Sequence, residues 1–182
     1  MTYIEPDYWA TFSAPLTEHT INQLFSVFTQ FFQTRPPRIH LLFQSTGGSV
    51  GDGIALYNFF RSAPVPITAY NVGNVASIAT ISYLGASTRV CSAYGMFMLH
   101  RPSNQIRFNA RTADLARDSL RLDEDRMSAI LADRSNLPDA MWMDHDTDLI
   151  ISPALALSSG IATEIGEWLP PAGSKIFNIV TH

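Results

Sequence analysis

Between residues 17 and 165, short apolar runs alternate with segments whose apolar residues recur every three or four positions. That alternation limits the fold more than any other feature of the chain. Thr17 has the character of an N-cap, and behind it Ile21, Leu24, Phe25, Phe28 and Phe32 mark one face of an amphipathic helix. Arg35-Pro36-Pro37-Arg38 stops that helix, and Ile39 to Phe43 reads as a buried strand. Ile54, Leu56, Tyr57, Phe59 and Phe60 mark a second helix, and Val65 to Val72 a second strand. Gly73-Asn74 reads as a turn before a third, apolar helix from about Ala76 or Ser77 to Gly85. Arg89 to Ala93 and Met96 to His100 are short strands around Tyr94-Gly95, and a long charged helix covers roughly 111–134. Leu149 to Ile151 is a strand, Ser152-Pro153 starts a helix that Gly160 closes, and Ile161 to Ile165 is the last strand. Residues 1–16 show no period, and the tail after Trp168 reads as irregular. Strands alternating with helices imply an α/β fold built on a mostly parallel sheet.

Length and composition narrow the function. With 182 residues the chain suits a single domain, 1–182, and no linker or fixed-period repeat divides it. Apolar residues make up 46% and charged residues 15%, a balance that folds rather than stays disordered. A net charge of −4 argues against phosphate-driven nucleic-acid binding. No secretory signal is visible at the start, and the most apolar stretch, 78–86, is interrupted by Thr80 and Ser82 and is too short to span a bilayer. A cytoplasmic protein with neither nucleic-acid nor membrane partners is expected. One cysteine, Cys91, leaves no internal disulfide and no cysteine-based metal cluster. HxxxH and HExxH pairings are absent, so no metal site and no cofactor are expected.

Chemistry concentrates at Gly48, Ser77, His100 and Asp144. Ser77 follows the Gly73-Asn74-Val75-Ala76 turn and falls at the first turn of an apolar helix, where unpaired N–H groups stabilise developing negative charge. From this segment alone Ser77 is either a nucleophile or an ordinary N-cap, a position serine favours. His100 ends the strand Met96 to Leu99 and precedes Arg101-Pro102, where a histidine is well placed to act at a strand-end cleft; from this segment alone it also reads as a satisfied structural histidine. His19, His40, His145 and His182 lack that context. Asp144 shares its segment with Asp146 and Asp148, and the segment alone does not choose among them. Cys91 sits mid-strand and reads as a small core residue rather than a nucleophile. The G-x-S-x-G elbow of α/β-hydrolases and the GK[ST] of a phosphate loop are both missing.

Taken in order, Thr46-Gly47-Gly48-Ser49, Gly73-Asn74-Val75-Ala76-Ser77 and Met98-Leu99-His100-Arg101-Pro102 resemble the proteolytic subunit of Clp protease. That family has a Pro-Gly-Gly turn, a Gly-x-Ala-Ala-Ser nucleophile turn and a Met-x-His-x-Pro strand end. Gly48 precedes Ser77 by 29 residues, the family's own interval. Counting back from Ser152-Pro153 and Gly160 puts the family's triad aspartate on Asp144. The resemblance covers about residues 12–166. It implies the ClpP/crotonase-like ββα superhelix: a single domain with a core at about 12–166 and a projecting handle helix at about 103–138. It implies a serine endopeptidase for peptides or unfolded proteins, with Ser77 as nucleophile, His100 as general base and Asp144 as orienter. The backbone N–H groups of Gly48 and Ile78 would form the oxyanion hole. It also implies a homo-oligomeric ring of seven subunits and, in the family, an AAA+ unfoldase partner.

The chain departs from the family pattern in several places. Thr46 replaces the proline of the glycine turn. Val75 replaces the first alanine of the nucleophile turn and Ala79 a glycine, changes expected to narrow the site. The glycine-rich strand after the histidine is here 103–109, without glycine, and Met143 stands where an arginine bonds across stacked rings. About eleven residues precede the first matching strand, where the family has an axial loop and a helix. Loose ring stacking and weak coupling to an unfoldase are therefore expected. Two alternatives share the fold: a non-catalytic ring subunit, and a crotonase-type acyl-CoA enzyme, which needs no Ser–His pair.

Overall fold

The computed structural model describes residues 6–103, 110–143 and 147–180. The elements follow in the order β1 (Tyr8–Ser13), α1 (Glu18–Thr34), β2 (Ile39–Gln44), α2 (Val50–Arg61), β3 (Ile67–Asn71), β4 (Asn74–Ala76), α3 (Ile78–Tyr83) and β5 (Thr88–Cys91). Then come β6 (Met96–Leu99), α4 (Ala110–Arg134), β7 (Leu149–Ile151), α5 (Pro153–Ser158), β8 (Glu164–Ile165) and β9 (Ile176–Asn178). One sheet runs β8-β5-β3-β2-β1-β9, and its pairings are parallel throughout. A second sheet runs β4-β6-β7, with β4 parallel and β7 antiparallel to β6.

Thr17 caps α1 in a reciprocal pair: its hydroxyl accepts from the Thr20 N–H at 3.3 Å, and the Thr20 hydroxyl accepts from the Thr17 N–H at 3.0 Å. Ile21, Leu24, Phe28 and Phe31 are the buried face of α1. Phe25 meets Phe59 of α2 at 4.5 Å and Phe28 meets Phe60 at 5.8 Å between ring centroids, so aromatic side chains lock the two helices together. α3 is buried at every position, as an all-round apolar helix in the middle of a domain must be. Its two hydroxyl residues, Thr80 and Ser82, satisfy themselves on backbone carbonyls.

Several elements differ from the sequence reading. Residues 8–13 form β1, which pairs with β2 from Tyr8↔Ile39 to Ser13↔Gln44. Its residues alternate too weakly to announce a strand, and its neighbours hold it extended. The tail is not wholly irregular: β9 pairs with β1 from Trp9↔Ile176 to Thr11↔Asn178 and covers that edge of the sheet. Phe177 completes the seam against Phe31, with ring centroids 4.8 Å apart. The last core strand shrinks to β8, while Ile161 and Ala162 are buried in the bend before it. Asn74 belongs to β4 rather than to a turn. The reversal falls at Val72–Gly73, where the Asn71 side chain accepts from the Gly73 N–H at 3.0 Å and donates to the Met96 carbonyl at 2.8 Å.

α4 divides its apolar set. Met127 and Leu131 are buried in the core, whereas Leu115 is 66% and Leu122 58% exposed. The C-terminal half thus folds back on its own core and the N-terminal half leaves two leucines in solvent. The glycine-free segment falls largely at 104–109, outside the described residues.

Candidate active site

Two parallel strands carry the reacting pair. β4 and β6 are in register from Asn74↔Met96 to Ala76↔Met98, and the ladder continues one step as the Ser77 N–H donates to the Met98 carbonyl at 2.7 Å. Ser77 and His100 therefore leave the same end of the small sheet side by side. Ser77 Oγ and His100 Nε2 are 2.7 Å apart, hydrogen-bond distance for a hydroxyl that gives its proton to an imidazole.

Ser77 sits at the N-cap position of α3, yet its hydroxyl caps nothing. The Thr80 N–H, which a capping serine would serve through its side chain, donates to the Ser77 carbonyl at 3.0 Å instead. The Ser77 backbone has φ 56° and ψ −134°, a region that strains a residue with a side chain by about 1–3 kcal/mol. The surrounding structure holds this conformation, and the result is a hydroxyl turned out of the helix toward the imidazole.

The glycine loop is fastened beside it. Ser45 bridges Val75, with its N–H on the Asn74 carbonyl at 3.2 Å and its carbonyl accepting from Ala76 at 2.9 Å. Gly47 has φ 91°, and a Cβ there would lie 2.7 Å from the Ser77 Cβ, so only glycine lets the loop lie against the serine. A Cβ at Gly48 would lie 2.0 Å from the Leu16 carbonyl oxygen. Around Gly48 the ladder to Leu16 uses the Gly47 carbonyl, at 2.8 Å, and the Ser49 N–H, at 3.1 Å. Among the described residues, neither the Gly48 nor the Ile78 N–H donates to a backbone carbonyl. Both predicted oxyanion donors thus retain a free proton.

Val75 and Ala79, expected to narrow the site, are both fully buried members of the core. Asp144, the predicted orienter, lies outside the described residues, as do His145 and Asp146. Cys91 is fully buried, and burial pushes its thiol up to about 11, so it is no nucleophile at neutral pH. His40 lies at the start of β2, the end opposite the glycine loop. Its ring stacks on Trp9 with centroids 4.0 Å apart and bonds Tyr70 Oη at 2.8 Å and Asp7 at 3.1 Å. Burial lowers its proton affinity against the opposing pull of Asp7.

Two features of the site escape a reading by motif. Arg101, next to His100, donates through Nε to Glu124 of α4 at 2.6 Å and through its second nitrogen to the same oxygen, which ties the strand end to the long helix. Thr80, visible in the sequence only as a polar interruption of an apolar run, donates its hydroxyl to both Val75 and Met98 carbonyls. A buried hydroxyl must find acceptors, and that is the one signal a sequence offers for such a residue.

Known proteins bear on this arrangement. The family model of Clp protease matches residues 11–168. The chain is 26% identical over 140 residues to the ATP-dependent Clp protease proteolytic subunit 1 of Synechococcus sp. (strain CC9902), covering 74% of this chain and 71% of that protein. It is 26% identical over 155 residues to the protein of the same description from Prochlorococcus marinus (strain NATL2A), covering 83% and 79%. A solved ClpP1 variant from Listeria monocytogenes superposes with a TM-score of 0.73 at 18% identity, over 88% of this chain and 91% of that one, so the fold is the same. With the match running from β1 to the residues beyond β8, the chain belongs to the Clp protease family.

Proposed function

We propose that the chain is a serine endopeptidase that cleaves peptides or unfolded polypeptides through an acyl-enzyme on Ser77. The observation that carries the reading is the 2.7 Å contact between Ser77 Oγ and His100 Nε2, made by a serine in a strained backbone conformation beside two undonated N–H groups. In the first step His100 takes the Ser77 proton as Oγ attacks the scissile carbonyl carbon. The carbonyl oxygen becomes an oxyanion between the Gly48 and Ile78 N–H groups. The C–N bond then breaks, and His100 delivers the proton to the leaving amine. Water, activated by the same imidazole, hydrolyses the ester and restores Ser77. Asp144 completes the triad as the group that orients His100, on the strength of its interval from Ser152-Pro153.

The proposal extends to a single peptidase domain over 1–182, to a homo-oligomeric ring and to a cytoplasmic site of action. No helix among the described residues is long and apolar enough to cross a membrane. An acyl-CoA enzyme of crotonase type has no use for a serine within hydrogen-bond reach of an imidazole, and a non-catalytic subunit has no use for a strained one.

Alanine at Ser77 tests the reading. Ser77→Ala is expected to lower peptide hydrolysis by several orders of magnitude and to abolish covalent labelling by a fluorophosphonate. Undiminished labelling moves the nucleophile elsewhere. Asp144→Asn is expected to cut the rate sharply in a folded protein. A loss confined to Asp146→Asn or Asp148→Asn reassigns the third member.

A further inference from the structure

α3 contains two buried hydroxyls with different partners. Ser82 Oγ donates to the Gly53 carbonyl at 2.8 Å and, within its own helix, to Ile78 at 3.2 Å, which fastens α3 to α2. Thr80 Oγ1 reaches the Val75 carbonyl at 3.0 Å and the Met98 carbonyl at 3.1 Å. Val75 lies on the strand that delivers Ser77, and Met98 on the strand that delivers His100. One hydroxyl proton is thus shared between the two strands just before each releases its reacting side chain. The Met98 carbonyl also accepts from the Ser77 N–H at 2.7 Å, and the Thr80 N–H donates to the Ser77 carbonyl at 3.0 Å. Both peptide groups of Ser77 are therefore tied to Thr80: its carbonyl directly, and its N–H through the shared Met98 acceptor.

We propose that Thr80 is a positioning residue of the reacting pair: it holds Ser77 in its strained backbone conformation and fixes the spacing between the Ser77 and His100 strands. The inference rests on the reading of Ser77 as nucleophile. A strained backbone persists only where neighbours over-determine it. Here the Ser77 carbonyl accepts the Thr80 N–H that a capping hydroxyl would otherwise accept, which leaves the Ser77 hydroxyl to His100. The side-chain hydroxyl of Thr80 holds the strand ends. Without it Ser77 relaxes or the strands separate slightly, and Oγ loses its line to Nε2. Substrate binding is untouched, because Thr80 is fully buried and touches no substrate.

The test compares Thr80→Val, Thr80→Ala, Thr80→Ser and Ser82→Ala with the parent and with Ser77→Ala, in peptide hydrolysis, fluorophosphonate labelling rate and thermal melting. A displacement of the reacting groups by a fraction of an ångström to 1 Å predicts that Thr80→Val lowers kcat and the labelling rate about 10- to 100-fold with KM within about twofold. Thr80→Ala carries the same prediction should the valine variant fail to fold. Thr80→Ser, which keeps the hydroxyl, is expected to restore kcat to within about threefold of the parent, and Ser82→Ala to lower the melting temperature with kcat within about twofold. A parental kcat in either hydroxyl-free variant overturns the assignment, as does a loss that serine does not restore or that Ser82→Ala reproduces. When Ser77→Ala is inactive, such results overturn the role of Thr80 alone. A Ser77→Ala protein that still turns over removes the nucleophile and this inference with it.

Discussion

Cys91 is the chain's only thiol, and its surroundings keep it protonated. It is fully buried on β5 and its S–H reaches the Ser92 carbonyl at 3.3 Å. Burial disfavours the thiolate and pushes the thiol from 9.0 up to about 11. Iodoacetamide at pH 8 is therefore expected to leave the native protein unmodified and to label one thiol once denaturant is added. The sign of the shift also fixes a stability trend. The folded state keeps its proton between pH 9 and 11 where the unfolded chain releases it, so this group's contribution is whole below pH 9 and lost as pH rises to about 11. Rapid native labelling at pH 8 contradicts the assignment of Cys91 to the core. At Ser77 the balance runs the other way, because the backbone strain there is retained rather than relieved. The fold spends part of its stability on it, and the adjacent Gly47, with no Cβ to collide with the serine, is what makes the arrangement possible.

Among the elements, α4 bears most directly on the site. Its middle reaches the strand end that carries the imidazole through Arg101 and Glu124, whose side chains are 30% and 13% exposed. A pair so placed is screened less than a surface pair, and removing one partner leaves a largely buried carboxylate uncompensated. Arg101→Ala and Glu124→Ala are each expected to lower thermal stability and peptide turnover. The double variant is expected to fall short of their sum by about 1 kcal/mol, within the range of coupling between residues in direct contact. Strict additivity in the cycle disproves the coupling. At the other end of α4 two arginines serve structure. Arg89 donates to the Gly160 carbonyl at 2.9 Å and to the Ile161 carbonyl at 2.9 Å, and Arg134 to the Leu84 carbonyl at 3.0 Å. Both thus satisfy carbonyls just past the C-terminal ends of α5 and α3, where cations are favoured. Burial, with the neighbouring Arg134 charge second, lowers the Arg89 proton affinity.

For the whole molecule the proposal predicts assembly. The N-terminal half of α4 exposes Leu115 and Leu122 among charged residues, and isolated helices of this kind gain from a partner. Native mass spectrometry at micromolar concentration is expected to show a homo-oligomeric ring, of seven subunits by family resemblance, and Leu115→Asp with Leu122→Asp to shift any stacked form toward single rings. A monomer throughout refutes ring formation. A stacked form indifferent to both aspartates refutes a part for Leu115 and Leu122 in stacking. Met143, where the family resemblance implies an arginine, is half-buried against the core and within 3.8 Å of the Ser128 hydroxyl of α4, so its side chain is engaged within its own subunit.

Periodicity is enough to define α1, α2 and the central strands, because each buries one face or a short apolar run whose spacing is local, whereas α4 is legible as a long charged segment. The glycine turn, the serine turn and the histidine at a strand end were likewise legible, since motifs of three to five residues carry their own conformational demands. β1 and β9 were not, because a strand is half made by its neighbours: Tyr8–Ser13 becomes regular only between β2 and β9, and residues 176–178 lie far from it in sequence. The serine itself was ambiguous for a related reason. Local preference made Ser77 an N-cap, and only the Met98 carbonyl, the Thr80 N–H and the close pass of Gly47 turn its backbone to a positive φ and its hydroxyl to His100. Those partners come from β6, α3 and the loop after β2. Backbone strain and the meeting of separate strands are properties of the assembled fold, and no spacing along the chain encodes them.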